Sequence, residues 1–473
     1  MAINHGVFVS EKATSVSTPV VAEVGIPFVI GSAPVHIAEN PAKKGVPVIC
    51  TSWDEYENQF GYSDDWDKFT LCEFAYSHFK LYGCQPVIFC NLLDPDTMKA
   101  AVEASDMAVT NRRVELPITA IPSTIVVKKS GGTGDAYVVD TDYTVFQSDD
   151  KVYIELAQSS KHATETSINV VYSNVTPDAV TSQIVASSMD SIELCMSTAG
   201  TVPDLICAPG FSQVSSVAAV MATKAASING LFRAKALIDI DSSATGCVDY
   251  STVSTWKTSH NLVDENEILC WPMVKLGDRK FHMSTQLAGL IASVDANNTC
   301  PYESPSNKSF KMDTLWLEKG ETITQTKAQA DALNAVGVVT ALNFLASGWV
   351  CWGNYTACYP TNTDVKDYFI PVSRMFDWVA NSLIQSFWSK LDQPMNRRLI
   401  DTIMDSTNIW LNGLVGAGYL LGARAEMLDS ENPTTDLMAG IVRIHLYMTP
   451  PSPAQEISFI LEYDADYVET AFA

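Results

Sequence analysis

Basic residues are scarce: 30 Lys and Arg stand against 54 Asp and Glu, for a net charge of −24. A surface of that sign repels phosphates and anionic bilayers, so no direct nucleic acid and no direct membrane contact is expected. Long apolar runs are missing as well. Val338 to Trp352 and Leu414 to Ala423 fall short of the roughly 18 uninterrupted apolar residues that a membrane span needs. The opening Met1-Ala2-Ile3-Asn4-His5 carries no basic segment leading into a hydrophobic run, and no secretory signal is expected. The 11 Cys include no C-x-x-C pair, and most sit in apolar runs such as Val87-Ile88-Phe89-Cys90, which points to buried, reduced thiols.

The familiar catalytic layouts are absent too. A nucleotide-cradling G-x-x-x-x-G-K-[ST] does not occur, and Gly131-Gly132-Thr133-Gly134 is a turn without a following helix. Neither G-x-S-x-G nor H-E-x-x-H is found. The seven His are dispersed, so no metal pair at short helical spacing forms. Asp54, Glu55, Glu57, Asp64, Asp65 and Asp67 make the densest acidic cluster and read as a solvated or interface face. No catalytic residue, cofactor or metal site is therefore assigned, and the chain is not expected to be an enzyme.

What is present is a long, folded chain. At 473 residues, with 47% apolar and 18% charged residues, it is expected to hold roughly two to four domains. Residues 1–23 read as an N-terminal arm around the short strand candidate Val7-Phe8-Val9. Residues 24–115 alternate short apolar runs with helical segments, the first part of an α/β core. Ser52 with Glu55 has capping-box spacing there. In 116–180 strict alternation, as in Val152-Tyr153-Ile154-Glu155-Leu156, predicts an inserted antiparallel β domain. The core resumes over 181–345, with a strand at Leu205 to Ala208 and a helix carrying Val214, Val217, Met221 and Ala225 on one stripe.

The last part, 346–473, reads as a C-terminal α/β domain. Pro371 opens a helix whose Val372, Met375, Val379, Leu383 and Phe387 form an apolar stripe. A second helix, Asn396 to Leu411, exposes Arg397 and Arg398. Two alternating strands, Ile441 to Met448 and Ile457 to Tyr463, then close the chain on either side of Thr449-Pro450-Pro451-Ser452-Pro453. From Glu426 onward there are nine carboxylates and one Arg, whereas Lys390 to Arg424 holds four basic residues and three Asp. The predicted fold class is thus mixed α/β (α+β) and multidomain, with an inserted β domain and terminal strands that lack an evident partner.

Several blocks, in order, resemble the contractile tail sheath proteins of phages, phage-tail-like bacteriocins and injection systems. They are Thr51-Ser52-Trp53-Asp54-Glu55-Tyr56-Glu57-Asn58-Gln59-Phe60-Gly61, Leu205 to Gly210, Gln286 to Asp295, Trp352-Gly353-Asn354-Tyr355-Thr356, Ile370 to Arg374, Gly416 to Gly422, and Pro453 to Phe459. Tyr355 stands where the family pattern has Arg, and Arg374 stands alone where relatives often have a pair.

The resemblance implies a homo-oligomer: hexameric rings stacked helically round a tail tube protein and bounded by baseplate and tail terminator proteins. Such a sheath contracts to drive the tube through a target cell envelope. It also implies a place in the tail of a virion or phage-tail-like particle assembled in the bacterial host cytoplasm. Neighbouring subunits would exchange strands, through Val7, Phe8 and Val9 of the arm and Ile457, Phe459, Leu461 and Tyr463 of the closing segment. Arg397 and Arg398 are candidate contacts to the tube. A multidomain α/β enzyme with a β insertion, and another tail assembly protein such as a tube or baseplate component, are the alternatives.

Overall fold

The computed structural model describes residues 19–344, 348–464 and 466–472. Its centre is an eight-stranded sheet in the order Trp349–Trp352, Val338–Asn343, Glu267–Cys270, Lys235–Asp239, Leu205–Cys207, Pro27–Gly31, Val87–Asn91 and Val48–Cys50. The six inner strands run parallel and the two outermost antiparallel. Inner strands such as Pro27–Gly31 and Lys235–Asp239 are buried along their whole length, as a parallel sheet covered on both faces requires. This is the mixed α/β core expected from the sequence.

Local chemistry explains the elements around it. The Ser52 hydroxyl accepts the Glu55 N–H at 3.2 Å, capping the helix Trp53–Phe60, while the Glu55 carboxylate accepts the Thr51 N–H at 2.6 Å. The helix Thr70–Ala75 continues as a wider π-helical stretch, Tyr76–Tyr82, and stops at Gly83 with φ +65°. The helix Met283–Asn298 lies against it so closely that a Cβ on Gly289 would come within 2.5 Å of the Tyr82 ring. Glu73 fastens this contact. Its two oxygens accept the His282 N–H at 2.6 Å and pair with His282 Nδ1 at 2.8 Å. Burial works against the charge on His282, but the adjacent Glu73 carboxylate outweighs it and raises the imidazole to about 10.

The inserted β region consists of two three-stranded antiparallel sheets. One orders Lys99–Ala108, Ser167–Val175 and Val126–Lys129; the other orders Arg113–Pro117, Lys151–Leu156 and Tyr143–Ser148. Val114, Leu116, Val127, Ile154, Ile168 and Val170 close a core of their own. The boundary expected at 116 is corrected here: Lys99–Ala108 and Arg113–Pro117, assigned above to the first part of the α/β core, pair within these sheets. The first of them is almost wholly exposed and Ala-rich, so alternation did not reveal it.

The helix Ile370–Phe387 joins the C-terminal region to the core and presents two different stripes. Arg374, Asp377 and Asn381, at i, i+3 and i+7, face the core. Arg374 is buried and forks onto Asp295, with Nη1 to Oδ1 at 3.1 Å and Nη2 to Oδ2 at 2.5 Å; Nη2 also reaches Asp204 Oδ2 at 2.7 Å. Asp204 in turn accepts the N–H groups of Gly25 and Ile26. Lys235 pairs with Asp377 at 2.9 Å, and Asn381 exchanges two hydrogen bonds with the main chain of Arg233. The other stripe holds the incoming chain: Trp378 Nε1 donates to Ala22 O, Ser382 Oγ accepts from Ala22 N, and Ser386 Oγ donates to Val20 O.

Removing one partner of a buried ion pair leaves an uncompensated charge, at a cost of about 3–5 kcal/mol. Arg374→Ala is therefore expected to lower stability by that order in urea titrations, and Arg374→Lys to restore only part of it because Lys lacks the fork; an unchanged midpoint for Arg374→Ala would contradict the role given to this cluster. The His282–Glu73 pair yields a pH-dependent expectation. Because the folded pKa of His282 lies above the unfolded value, its contribution is complete below about pH 6.5 and is lost as pH rises through about 10. The stability gap between the native protein and His282→Gln should thus be widest near pH 6 and narrow toward pH 10. A gap that widens with pH would show the sign to be wrong.

Candidate assembly interface

The end of the chain is arranged differently from the expected pair of closing strands. The strand His445–Thr449 pairs antiparallel with Gly422–Glu426, not with the segment after the prolines. Its faces are as the alternation predicted. Ile444, Leu446 and Met448 pack on the C-terminal core, while His445 and Tyr447 stack on the other side with Arg424 over the Tyr447 ring at 4.0 Å. His445 Nδ1 sits 3.0 Å from Glu431 Oε1, a local pairing. The partner strand Gly422–Glu426 was not foreseen, since Gly and Ala are poor strand formers.

The two edges of this ribbon are unequal. On the outer side of Gly422–Glu426, Asn408 accepts the Ala425 N–H at 2.8 Å and donates to the Ala425 carbonyl at 3.0 Å. That edge is covered by a side chain mimicking a strand. Among the described residues the sheet has two strands only, so His445–Thr449 is its open edge.

Residues 457–463, expected as the second closing strand, form no strand in the single chain. Ile457, Phe459, Leu461 and Tyr463 are all exposed, Phe459 at 86% and Leu461 at 95%, with Ile460 between them at 92%. Both sides of an alternating apolar segment thus face solvent. The tail is held near its root, where Tyr355 Oη donates to Gln455 Oε1 at 2.5 Å and the Tyr355 ring stacks on Tyr359. Tyr355, the departure from the family pattern, is therefore used to hold the tail. A short helix, Asp466–Phe472, ends the described chain.

Val7, Phe8 and Val9 lie outside the described residues. The chain enters the described part at Pro19, along the helix Ile370–Phe387. Arg397 and Arg398 occupy the first turn of the helix Arg397–Gly416, capped by Asn396, whose Oδ1 accepts the Leu399 N–H. Both are exposed; Arg397 makes only a 3.7 Å pair with Asp401.

A second place merits comparison because ligands of open α/β sheets bind where the strand order reverses. Between the carboxyl ends of Pro27–Gly31 and Leu205–Cys207 lies a cavity of about 460 Å³ lined by Ser32, Thr70, Glu73, Gly210, Gln213 and His282. Its titratable centre, Glu73 with His282, is committed to joining two helices. Among the described residues no group of three or more His, Cys, Asp or Glu is arranged to hold a metal ion, and no helix is long and apolar enough to cross a membrane. All 11 Cys are buried and unpaired. Burial pushes thiols such as Cys50 and Cys72 up to about 12, which leaves them protonated and unreactive.

No family model matches the chain. In sequence it is 26% identical over 485 aligned residues to the tail sheath protein of Burkholderia phage BcepMu, covering 98% of each chain. It is 24% identical over 226 residues to the tail sheath protein of Escherichia phage P2, covering 46% of this chain and 54% of that one. In structure it is similar to the sheath of an extracellular contractile injection system, PVC, in the contracted state, with TM-score 0.59, 13% identity and 99% of each chain covered. It is also similar to the contracted helical sheath of the anti-feeding prophage, with TM-score 0.58, 15% identity, and 98% and 100% covered. The chain is thus similar along its whole length to a phage tail sheath protein, and it shares the fold of the contractile injection system sheaths.

Proposed function

We propose that the chain is the repeating subunit of a contractile sheath, polymerising as stacked six-fold rings around a tail tube and bounded by baseplate and tail terminator proteins. The observation that carries this reading is a pairing of opposites: an exposed apolar segment, 457–463, in no sheet, and the free edge of His445–Thr449, on which no further strand lies among the described residues. An edge of this kind is completed by strand addition, in which main-chain hydrogen bonds supply affinity and alternating side chains fix register. In this reading Ile457, Phe459, Leu461 and Tyr463 are donated to another subunit, and Val7, Phe8 and Val9 form a second donated strand.

Each added hydrogen bond contributes only about 0.5–1.5 kcal/mol net. Several per strand, repeated so that every subunit is tied to more than one neighbour, give cohesion by multivalency. Subunits then shift and rotate relative to one another while the donated strands keep them linked, and contraction is a drop from a metastable lattice to a tighter one. No nucleotide or catalytic step is needed in this scheme. It acts in the tail of a virion or phage-tail-like particle, assembled in the cytoplasm of the bacterial host and acting on a target cell envelope.

Electron microscopy of the purified protein, or of particles containing it, should show hollow striated cylinders. Deleting residues 454–473 should leave a folded monomer that forms none. Cylinders of normal yield from the deleted chain would sink the strand-donation reading, and a persistent monomer at high concentration for the intact chain would count against assembly altogether.

A further inference from the structure

The C-terminal region contains a mainly apolar groove of about 370 Å³ between its two long helices and the inner face of the ribbon, lined by residues including Leu383, Leu399, Ile400, Ile403, Val442 and Ile444. It is open in the single chain. Lys390 borders it, and Arg397 and Arg398 project from the first turn of the helix that forms one wall. The described chain closes on a short helix. After the exposed segment 457–463 comes the helix Asp466–Phe472, with Tyr467 exposed at 75%. Tyr467 and Ala471 stand four residues apart in the sequence Asp-Tyr-Val-Glu-Thr-Ala-Phe, whose apolar residues recur at helical spacing. Groove and helix are complementary in charge as well as in polarity. Lys390 and Asp392 line the groove and Arg397 and Arg398 stand just before its wall residue Leu399, while Glu462, Asp464 and Asp466 precede or open the helix, with no Lys or Arg after Arg443.

We propose that this groove receives the terminal helix, residues 466–472, of a second copy of the chain, with Arg397 and Arg398 facing that copy's Asp464 and Asp466. The proposal rests on the strand-donation reading, because the donated strand delivers the helix. Its geometry selects the strand direction. If residues 457–463 add antiparallel along His445–Thr449, their C-terminal end emerges beside Val442 and Gly440, which line the groove. A parallel addition would leave the helix at the far end, beside Thr449. The contact is heterologous, one patch of a subunit meeting a different patch of the next, and heterologous contacts build rings or helical assemblies rather than isologous pairs. Arg397 and Arg398 then serve the bond between subunits and not the bond to the tube.

The test compares full-length protein with chains ending at Asp464 and at Pro453, and with the double variant Arg397→Glu/Arg398→Glu, by the critical concentration for polymerisation. The chain ending at Asp464 keeps its strand and should still polymerise, at a critical concentration raised about 10-fold, the equivalent of losing a small apolar contact. The double variant should show a similar rise, and combining it with the Asp464 truncation should add little. An unchanged critical concentration for the Asp464 truncation overturns the proposal while leaving strand donation intact, provided the Pro453 truncation does not polymerise. Polymerisation of the Pro453 truncation at the native concentration removes the strand-donation reading itself. Normal self-assembly of the double variant, with loss of binding to the tube, assigns the groove rim to the tube instead and equally overturns the proposal.

Discussion

An alternating apolar segment without a sheet is the constraint from which the rest of this molecule follows. Residues 457–463 expose Ile457, Phe459, Ile460, Leu461 and Tyr463 together, which a monomer meant to stay one would not tolerate. The C-terminal ribbon keeps one strand edge open among the described residues and closes the other with Asn408. Deficit and vacancy lie on the same chain but are not brought together within it, so their natural resolution is between copies. The acidic residues that flank the tail fit this picture. In the proposed assembly, their charge would oppose association of the exposed apolar segment until its strand partner is met.

For strand donation to move anything, the donor and acceptor regions must be rigidly connected to the body of the subunit. The helix Ile370–Phe387 provides this connection. Arg374, Asp377 and Asn381 lock it to Asp295, Asp204, Lys235 and the Arg233 main chain, and Trp378, Ser382 and Ser386 hold the incoming segment at Val20 and Ala22. The root of the N-terminal arm and the open strand edge are thus mounted on one element. In the proposed assembly, a displacement of a neighbour pulling on either would be passed to the core through buried, directional, charge-assisted bonds. Packing alone would slide more easily. The inserted β sheets, with a separate hydrophobic core, take no part in this linkage.

Much of the fold was legible in the sequence because its elements are half-buried. The stripe Val372, Met375, Val379 and the alternation of 152–156 announce a helix and a strand by their period. The helix Met283–Asn298 is buried on all sides over most of its length and so carries no polar face to mark it. The strands Val338–Asn343 and Trp349–Trp352 were hidden for the same reason: as one apolar stretch they show no alternation. Gly422–Glu426 was invisible because its pairing is imposed by Asn408 and the facing strand, against local propensity. At the interface, the apolar face of the closing segment was readable, but its lack of a partner within the chain was not. The capping of one edge by a side chain from a helix 17 residues earlier leaves no local trace.

The central claim, that the closing segment completes the His445–Thr449 edge of another subunit, is tested most directly by a disulfide between the two. All 11 native Cys are buried, so a chain carrying Tyr447→Cys and Phe459→Cys offers two accessible thiols to mild oxidation of assembled particles. The account predicts a ladder of covalent multimers on a denaturing gel, lost when either substitution is made alone. Assembled particles that yield only monomer, or only a link within one chain, would contradict it.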